Sequence, residues 1–207
     1  MTREQTGYAD HVYRSVPGLV GGGLLLLLVV LLTGDGVLSG EGSVRWISLA
    51  ALLFLAPLIV AFSLRPAVYA GSERLRVRNP FRTITLPWAS VEDVRAAYSA
   101  EVFAAGGAKY QMWAIPVSLR QRKKAARQRG GGPAPTVFGG GTGPGGGGDQ
   151  GGYRPQADQA VEEIRALAER HASAEAAQGA PAVRWAYEIL VPAAVGGLAL
   201  VLLLLLG

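Results

Sequence analysis

Three stretches of this chain are too long and too uniformly apolar for the interior of a small soluble domain. Between Arg14 and Asp35 lie 20 residues without a charge, including LVGGGLLLLLVVLL. Between Arg45 and Arg65 lie 19 more, WISLAALLFLAPLIVAFSL, and the last 19 residues after Glu188 carry no charge either. At 1.5 Å per residue, helices of this length run roughly 28–30 Å, the thickness of a bilayer hydrocarbon core. A helix apolar on every side offers no face to water. The blocks therefore predict a transmembrane helical hairpin over 16–64 and a C-terminal transmembrane helix over 185–207. The polar stretch TGDGVLSGEGS (33–43), with four glycines, predicts the turn of the hairpin. A cleaved signal sequence fits less well, because no A-x-A pattern follows Leu32 and a second apolar block arrives within a dozen residues.

Orientation follows from the placement of Lys and Arg. The hairpin turn carries Asp35 and Glu41 and no basic residue before Arg45. The stretch from Arg65 to Trp185 holds 17 Lys and Arg against 10 Asp and Glu. The leader (1–15) and the central region should therefore be cytoplasmic, with three spans giving an N-in, C-out protein of the cell membrane. The spans carry no ionisable residue at mid-depth, where proton relays, ion paths and transporters need one. They read as anchors.

The central region, 65–119, reads as a small sheet. Pro66 stops the second helix. In ERLRVRN, Leu75 and Val77 alternate with Arg74, Arg76 and Arg78, the pattern of a half-buried strand with a basic outer face. Asn79-Pro80 turns the chain, and RTITL repeats the alternation with Ile84 and Leu86 inward. Trp88, Val91 and Val94 follow at a corner, and a hairpin is expected around Gly106-Gly107, leading to Trp113. The expected core is thus Leu75, Val77, Ile84, Leu86, Trp88, Val91, Val94 and Trp113. Four to six strands in so short a stretch leave an apolar face that something must cover. The cover is expected at 155–179, where Val161, Ile164, Leu167, Ala168 and Ala172 form one helical stripe, Asp158 suits the start, and Gly179 and Pro181 the end. The fold class is a membrane protein of three transmembrane α-helices with a small α+β domain, a curled antiparallel sheet closed by a C-terminal helix.

Between sheet and helix, 120–154 is first basic and then glycine-rich. Residues 130–152 hold 13 glycines and three prolines, so a flexible linker is expected, spanning about 25 Å as a random coil. A phosphate-binding loop does not fit, because no Gly-Lys-Ser/Thr ending and no strand-to-helix context accompany the glycines.

Little in the chain points to catalysis. There is no Cys, and the two histidines, His11 and His171, lie far apart. Thiolate chemistry is excluded, and no metal set of Cys and His can be built. Glu92 and Asp93 are adjacent, so on a strand they point to opposite faces and cannot share a reacting group. Trp88 and Trp113 read as core anchors rather than ligand-stacking rings. No catalytic residue, cofactor or metal is expected. One segment stands out. RQRKKAARQR (120–129) places Arg120, Arg122, Lys123, Lys124, Arg127 and Arg129 together with no acid. Near a bilayer such a run attracts anionic headgroups by up to roughly 1 kcal/mol per charge. A plain topology signal explains it as well. Nucleic acid fits worse, for no aromatic residues interleave with the basic ones.

The stretch RPAVYAGSERLRVRNPFRTITLPWASVEDV, followed by MWAIP, resembles the bacterial PH-like domain family typified by low molecular weight protein antigen 6 of actinobacteria. The residues that carry the resemblance are Leu75, Val77, Arg78, Asn79 and Pro80, then Pro87-Trp88 with Val91 and Val94, then Trp113-Ala114. YRSVPGLVGG and the two-span hairpin also look like that family, over roughly residues 10–119. The resemblance implies a PH-like β-roll closed by a C-terminal helix, and no enzymatic activity. The strand region is short for a seven-stranded barrel, and the glycine-rich segment divides sheet from helix. The expected function is non-enzymatic: a PH-like domain at the inner face of the membrane, engaging a protein partner or the anionic lipid of the bilayer. The alternative is a structural subunit of a membrane assembly, recognised through its helices.

Overall fold

The computed structural model of the chain describes residues 11–117 and 156–206. Three of its helices are long and apolar enough to cross a membrane. Helix α1 (Val16–Leu38) starts on Ser15, whose hydroxyl accepts from the Gly18 amide at 3.2 Å, with Pro17 in the first turn where no amide is missed. Helix α2 (Ser43–Ile59) contains Pro57 and widens over Val60–Leu64 into a π-helical turn, closed by the Arg65 amide on the Val60 carbonyl at 2.8 Å.

The turn between α1 and α2 is shorter than the sequence suggests. Residues 33–38 continue α1, and only 39–42 reverse the chain. Thr33 is accommodated by donating to the Val29 carbonyl at 2.7 Å. Gly36 serves packing and not turning, since a Cβ there would lie 2.1 Å from Ser48 Oγ. Gly42 is the residue with positive φ, at 55°. Gly22 lets α1 approach Ser63 in the same way.

The chain then builds a five-stranded antiparallel sheet in the order β1-β2-β3-β4-β8. Its strands are β1 (His11–Tyr13), β2 (Ala67–Ala70), β3 (Arg74–Arg78), β4 (Arg82–Pro87) and β8 (Ala182–Trp185). The pairs Leu75–Leu86 and Val77–Ile84 lie opposite each other on the buried face, while Arg76–Thr85 and Arg78–Thr83 pair on the other. A 3-10 corner (Trp88–Ser90) leads to a three-stranded sheet of β5 (Val91–Ala96), β6 (Ala100–Ala104) and β7 (Ala108–Gln111). Gly106 and Gly107 turn its second hairpin with φ of 84° and 79°. The two sheets do not close into one hydrogen-bonded barrel. They face each other across a shared core and are tied at the corner, where the Ala105 amide donates to the Ser90 carbonyl at 2.8 Å.

Helix α3 (Gln156–His171) lies across β5 and the corner, burying Ala157, Ala160, Val161, Ile164 and Ala168 in that core. It stops eight residues short of the expected end at 179: the Ala174 amide closes on the His171 carbonyl at 3.0 Å, and a 3-10 turn (Glu175–Ala177) follows and buries Ala177. Arg165 pins α3 to β5, donating to the Val94 carbonyl at 2.5 Å and to Asp93 Oδ1 at 3.1 Å. Tyr13 of β1 pins the opposite side through Glu163 at 2.7 Å. Helix α4 (Tyr187–Leu206) follows β8 and packs on α2, with Gly196 so close that a Cβ would sit 2.5 Å from the Phe54 amide nitrogen.

Leu75, Val77, Ile84, Leu86, Trp88 and Val94 have no exposed surface, and Val91 packs against them from the margin. The Trp88 indole N–H is satisfied by the Gly71 carbonyl at 2.9 Å. Trp113 is not core, contrary to expectation: it is 47% exposed and rests on Phe62 of the π turn at 5.8 Å between ring centres. Met112 and Ala114 take the inward positions beside it, and the buried Asn79 holds its amide at 3.3 Å. Alternation therefore points the ring outward, toward the end of α2.

Candidate functional site

Three short junctions join sheet to helices. Two residues separate β1 from α1, two separate the π turn from β2, and one separates β8 from α4. The charged residues at these junctions converge. Arg65, with a side chain only 8% exposed, donates to the Asn79 carbonyl at 3.2 Å, to Thr83 Oγ1 at 3.3 Å and to Glu188 Oε1 at 2.6 Å. One guanidinium thus bonds the end of α2 to the β3–β4 hairpin and to the first turn of α4. An apolar patch backs it: Ala61, Ala186 and Ile189 are buried together, with Phe81 against them, and the Ala186 amide donates to the Phe81 carbonyl at 2.8 Å.

Beside this joint two further arginines meet at one phenol. Arg14 donates to Tyr69 Oη at 2.9 Å, and Arg78 reaches the same oxygen at 3.5 Å. Burial works to raise the Tyr69 phenol, but the hydrogen bonds from Arg14 and Arg78 and their charges outweigh it and hold it below its ordinary value. Among the described residues, neither Arg14 nor Arg78 forms an ion pair with a carboxylate.

Arg14, Arg65, Arg78 and Glu188 form the rim of a cleft of about 660 Å³ between the apolar helices. Its wall is Leu26 of α1, Leu52, Leu53, Ala56, Pro57, Val60 and Leu64 of α2 and its π turn, and Ile189 of α4. The volume falls in the range of roughly 300–1,000 Å³ typical of ligand pockets. The arrangement is amphiphilic: an apolar shaft with a net-positive mouth. The rim holds three arginines and one carboxylate, Glu188, which is ion-paired to Arg65.

The residues singled out in the sequence are placed differently. Arg120, Arg122, Lys123, Lys124, Arg127 and Arg129 lie outside the described residues. Glu92 is exposed and Asp93 is ion-paired, its carboxyl held below the ordinary range by the hydrogen bond from Arg95 and by the charge of Arg165. His11 is exposed and His171 ends α3. Among the described residues no three His, Cys, Asp or Glu gather into a metal-sized group. The rim itself was missed, because its members are scattered over 174 positions from Arg14 to Glu188. A signal existed: Arg14, Arg65 and Glu188 are each the first charge flanking an apolar block.

A family model described as Bacterial PH domain matches residues 65–132. The match begins at Arg65, covers β2 to β7 and includes Tyr69 and Arg78, but leaves out β1, α3 and β8. No curated protein and no solved structure matches the chain.

Proposed function

We propose that the chain is a non-enzymatic integral protein of the cell membrane that holds a PH-like domain against the inner face and engages anionic lipid there. The observation that carries this reading is the rim: two arginines that form no direct ion pair among the described residues, at the level where sheet strands pass into helices fit to span a bilayer. The match of a bacterial PH domain to residues 65–132 and the resemblance to the antigen 6 type of actinobacterial PH-like proteins support it. Exposed aromatic residues support the placement as well. Trp113, Trp185 and Tyr187 cluster at the sheet end of the helices and Trp46 stands at the far end of α2, as interfacial belts do. The basic run 120–129 follows β7 by eight residues and adds six charges that would reinforce attraction to an anionic leaflet.

The test is lipid retention. The full chain, reconstituted in an equimolar mixture of phosphatidylglycerol and phosphatidylcholine and extracted in a neutral detergent, should keep phosphatidylglycerol in excess. Changing the six basic residues of 120–129 to Gln should lower the salt-sensitive part of that excess. Retention of the two lipids in their bulk ratio would overturn the lipid reading and favour a protein partner or a helix-mediated assembly.

A further inference from the structure

Attraction to an anionic surface needs no pocket, yet this chain has one, and its dimensions are informative. Leu26 lies ten residues beyond the start of α1, about 15 Å along the helix axis. That depth is half of a bilayer core of roughly 30 Å. The shaft therefore begins at the sheet end of the helices and stops near mid-membrane. Its wall is aliphatic throughout below Leu64, with no polar side chain among its lining residues. Arg14 and Arg78 both line the mouth, and Tyr69 Oη, which accepts from each, holds the two guanidiniums side by side. Two guanidiniums brought together at the mouth, each with further N–H groups, form a donor set for a tetrahedral oxyanion. Arg65 is not available for that role, being engaged by Glu188, Asn79 and Thr83.

A free phosphate would use the mouth and leave the shaft empty. A lipid without a phosphate, or a neutral detergent, would use the shaft and leave the arginines uncompensated, and a zwitterionic phospholipid would bring its own cation to a mouth that is already net positive. We propose that the cleft takes a single anionic phospholipid of the inner leaflet, one acyl chain lying along Leu26, Leu53 and Ala56 and the phosphate resting on Arg14 and Arg78. This rests on the functional reading above and sharpens it: one lipid, held in a fixed place, is distinct from the diffuse attraction exerted by the basic run.

Native mass spectrometry of the full chain from phosphatidylglycerol-containing nanodiscs tests it. The wild type should carry one phosphatidylglycerol that survives high salt, where the screening length falls to about 3 Å at 1 M. Inorganic phosphate should not displace it. Arg14→Gln with Arg78→Gln should weaken its binding by about tenfold or more, the loss expected for charge-assisted hydrogen bonds. Leu53→Trp, which fills the shaft and leaves the arginines in place, should lower occupancy to a similar extent. The two variants alter opposite ends of the cleft, so misfolding of one, seen in its thermal melt, leaves the other decisive. Conversion of the six residues of 120–129 to Gln should leave this single lipid bound. Absence of a salt-resistant adduct, its displacement by phosphate, or its persistence in both cleft variants would overturn the proposal. If bulk phosphatidylglycerol enrichment persists in that case, the functional reading stands without the cleft; if enrichment is also absent, both fall.

Discussion

Arg65 joins the end of α2 to the larger sheet and to α4. Two of its bonds go to the β3–β4 hairpin and one to α4, and with its side chain buried, losing it would leave the Asn79 and Thr83 acceptors without that donor. Its carboxylate partner is in a different position, since the Glu188 side chain is 63% exposed and can return to water. The two partners should therefore be unequal. Arg65→Gln is expected to lower the stability of the full chain by about 1–3 kcal/mol. Glu188→Gln should cost less, because the Asn79 and Thr83 bonds remain. Thermal melts of the two variants in one detergent check this, and equal losses would reduce the joint to its ion pair. Individual residues were unevenly legible in the sequence. Strict alternation in ERLRVRN and RTITL identifies Leu75, Val77, Ile84 and Leu86, because a one-residue register slip would expose the whole set. Trp113 misleads because an indole ring suits a protein core and a membrane interface equally well, and only its neighbour Phe62 distinguishes them.

At the scale of elements, helix α3 is held to β5 by an apolar stripe and by one electrostatic contact. Asp93 accepts from Arg95 and from Arg165, and the bulge between Val91 and Asp93 brings its carboxylate to the helix side. Those contacts depress the folded-state carboxyl, and the sign of the linkage follows. The stabilisation is present in full above the ordinary carboxyl value of about 3.9 and is lost as pH falls through the lower folded value. Denaturant unfolding followed from pH 5 down to pH 2 should show a steeper loss for wild type than for Asp93→Asn. Glu101, depressed by its bond to Lys109, contributes the same background slope to both. Parallel profiles would place the docking energy of α3 in its apolar stripe alone. The stripe was readable at i, i+3, i+4 spacing, and so was its covering role. Strands β1 and β8 were not. Each has three or four residues and no alternation, and β8 is exposed along its whole length. Their existence depends on partners in β2 and β4 that local sequence cannot reveal. The hairpin turn was misplaced for a related reason, since glycines that relieve helix–helix contact look the same in sequence as glycines that turn a chain.

For the whole molecule, the two edge strands change what counts as the domain. A fragment limited to 66–180 would lack β1 and β8, and so both edges of the larger sheet, which means that binding experiments belong on the full chain. Topology can be tested on the same molecule. Ser39 lies in the turn between α1 and α2, and Tyr98, 88% exposed, lies at the tip of the β5–β6 hairpin. The chain has no native cysteine, so single cysteines report without background. In intact cells an impermeant maleimide should label Ser39→Cys and spare Tyr98→Cys until the membrane is opened. Labelling of Tyr98→Cys from outside would reverse the orientation.

With one or two residues between each strand and its helix, there is no length of chain at the junctions that could serve as a swivel. A plate fastened at three points cannot pivot on any one of them. A change in the tilt of α1, α2 or α4 must therefore pass into the sheet as shear between neighbouring strands, resisted by every bond of the ladder. The three-stranded hairpin sheet beyond the corner rides on that plate and keeps a fixed height and bearing relative to the helix ends, as a rigidly mounted instrument does and a tethered one does not.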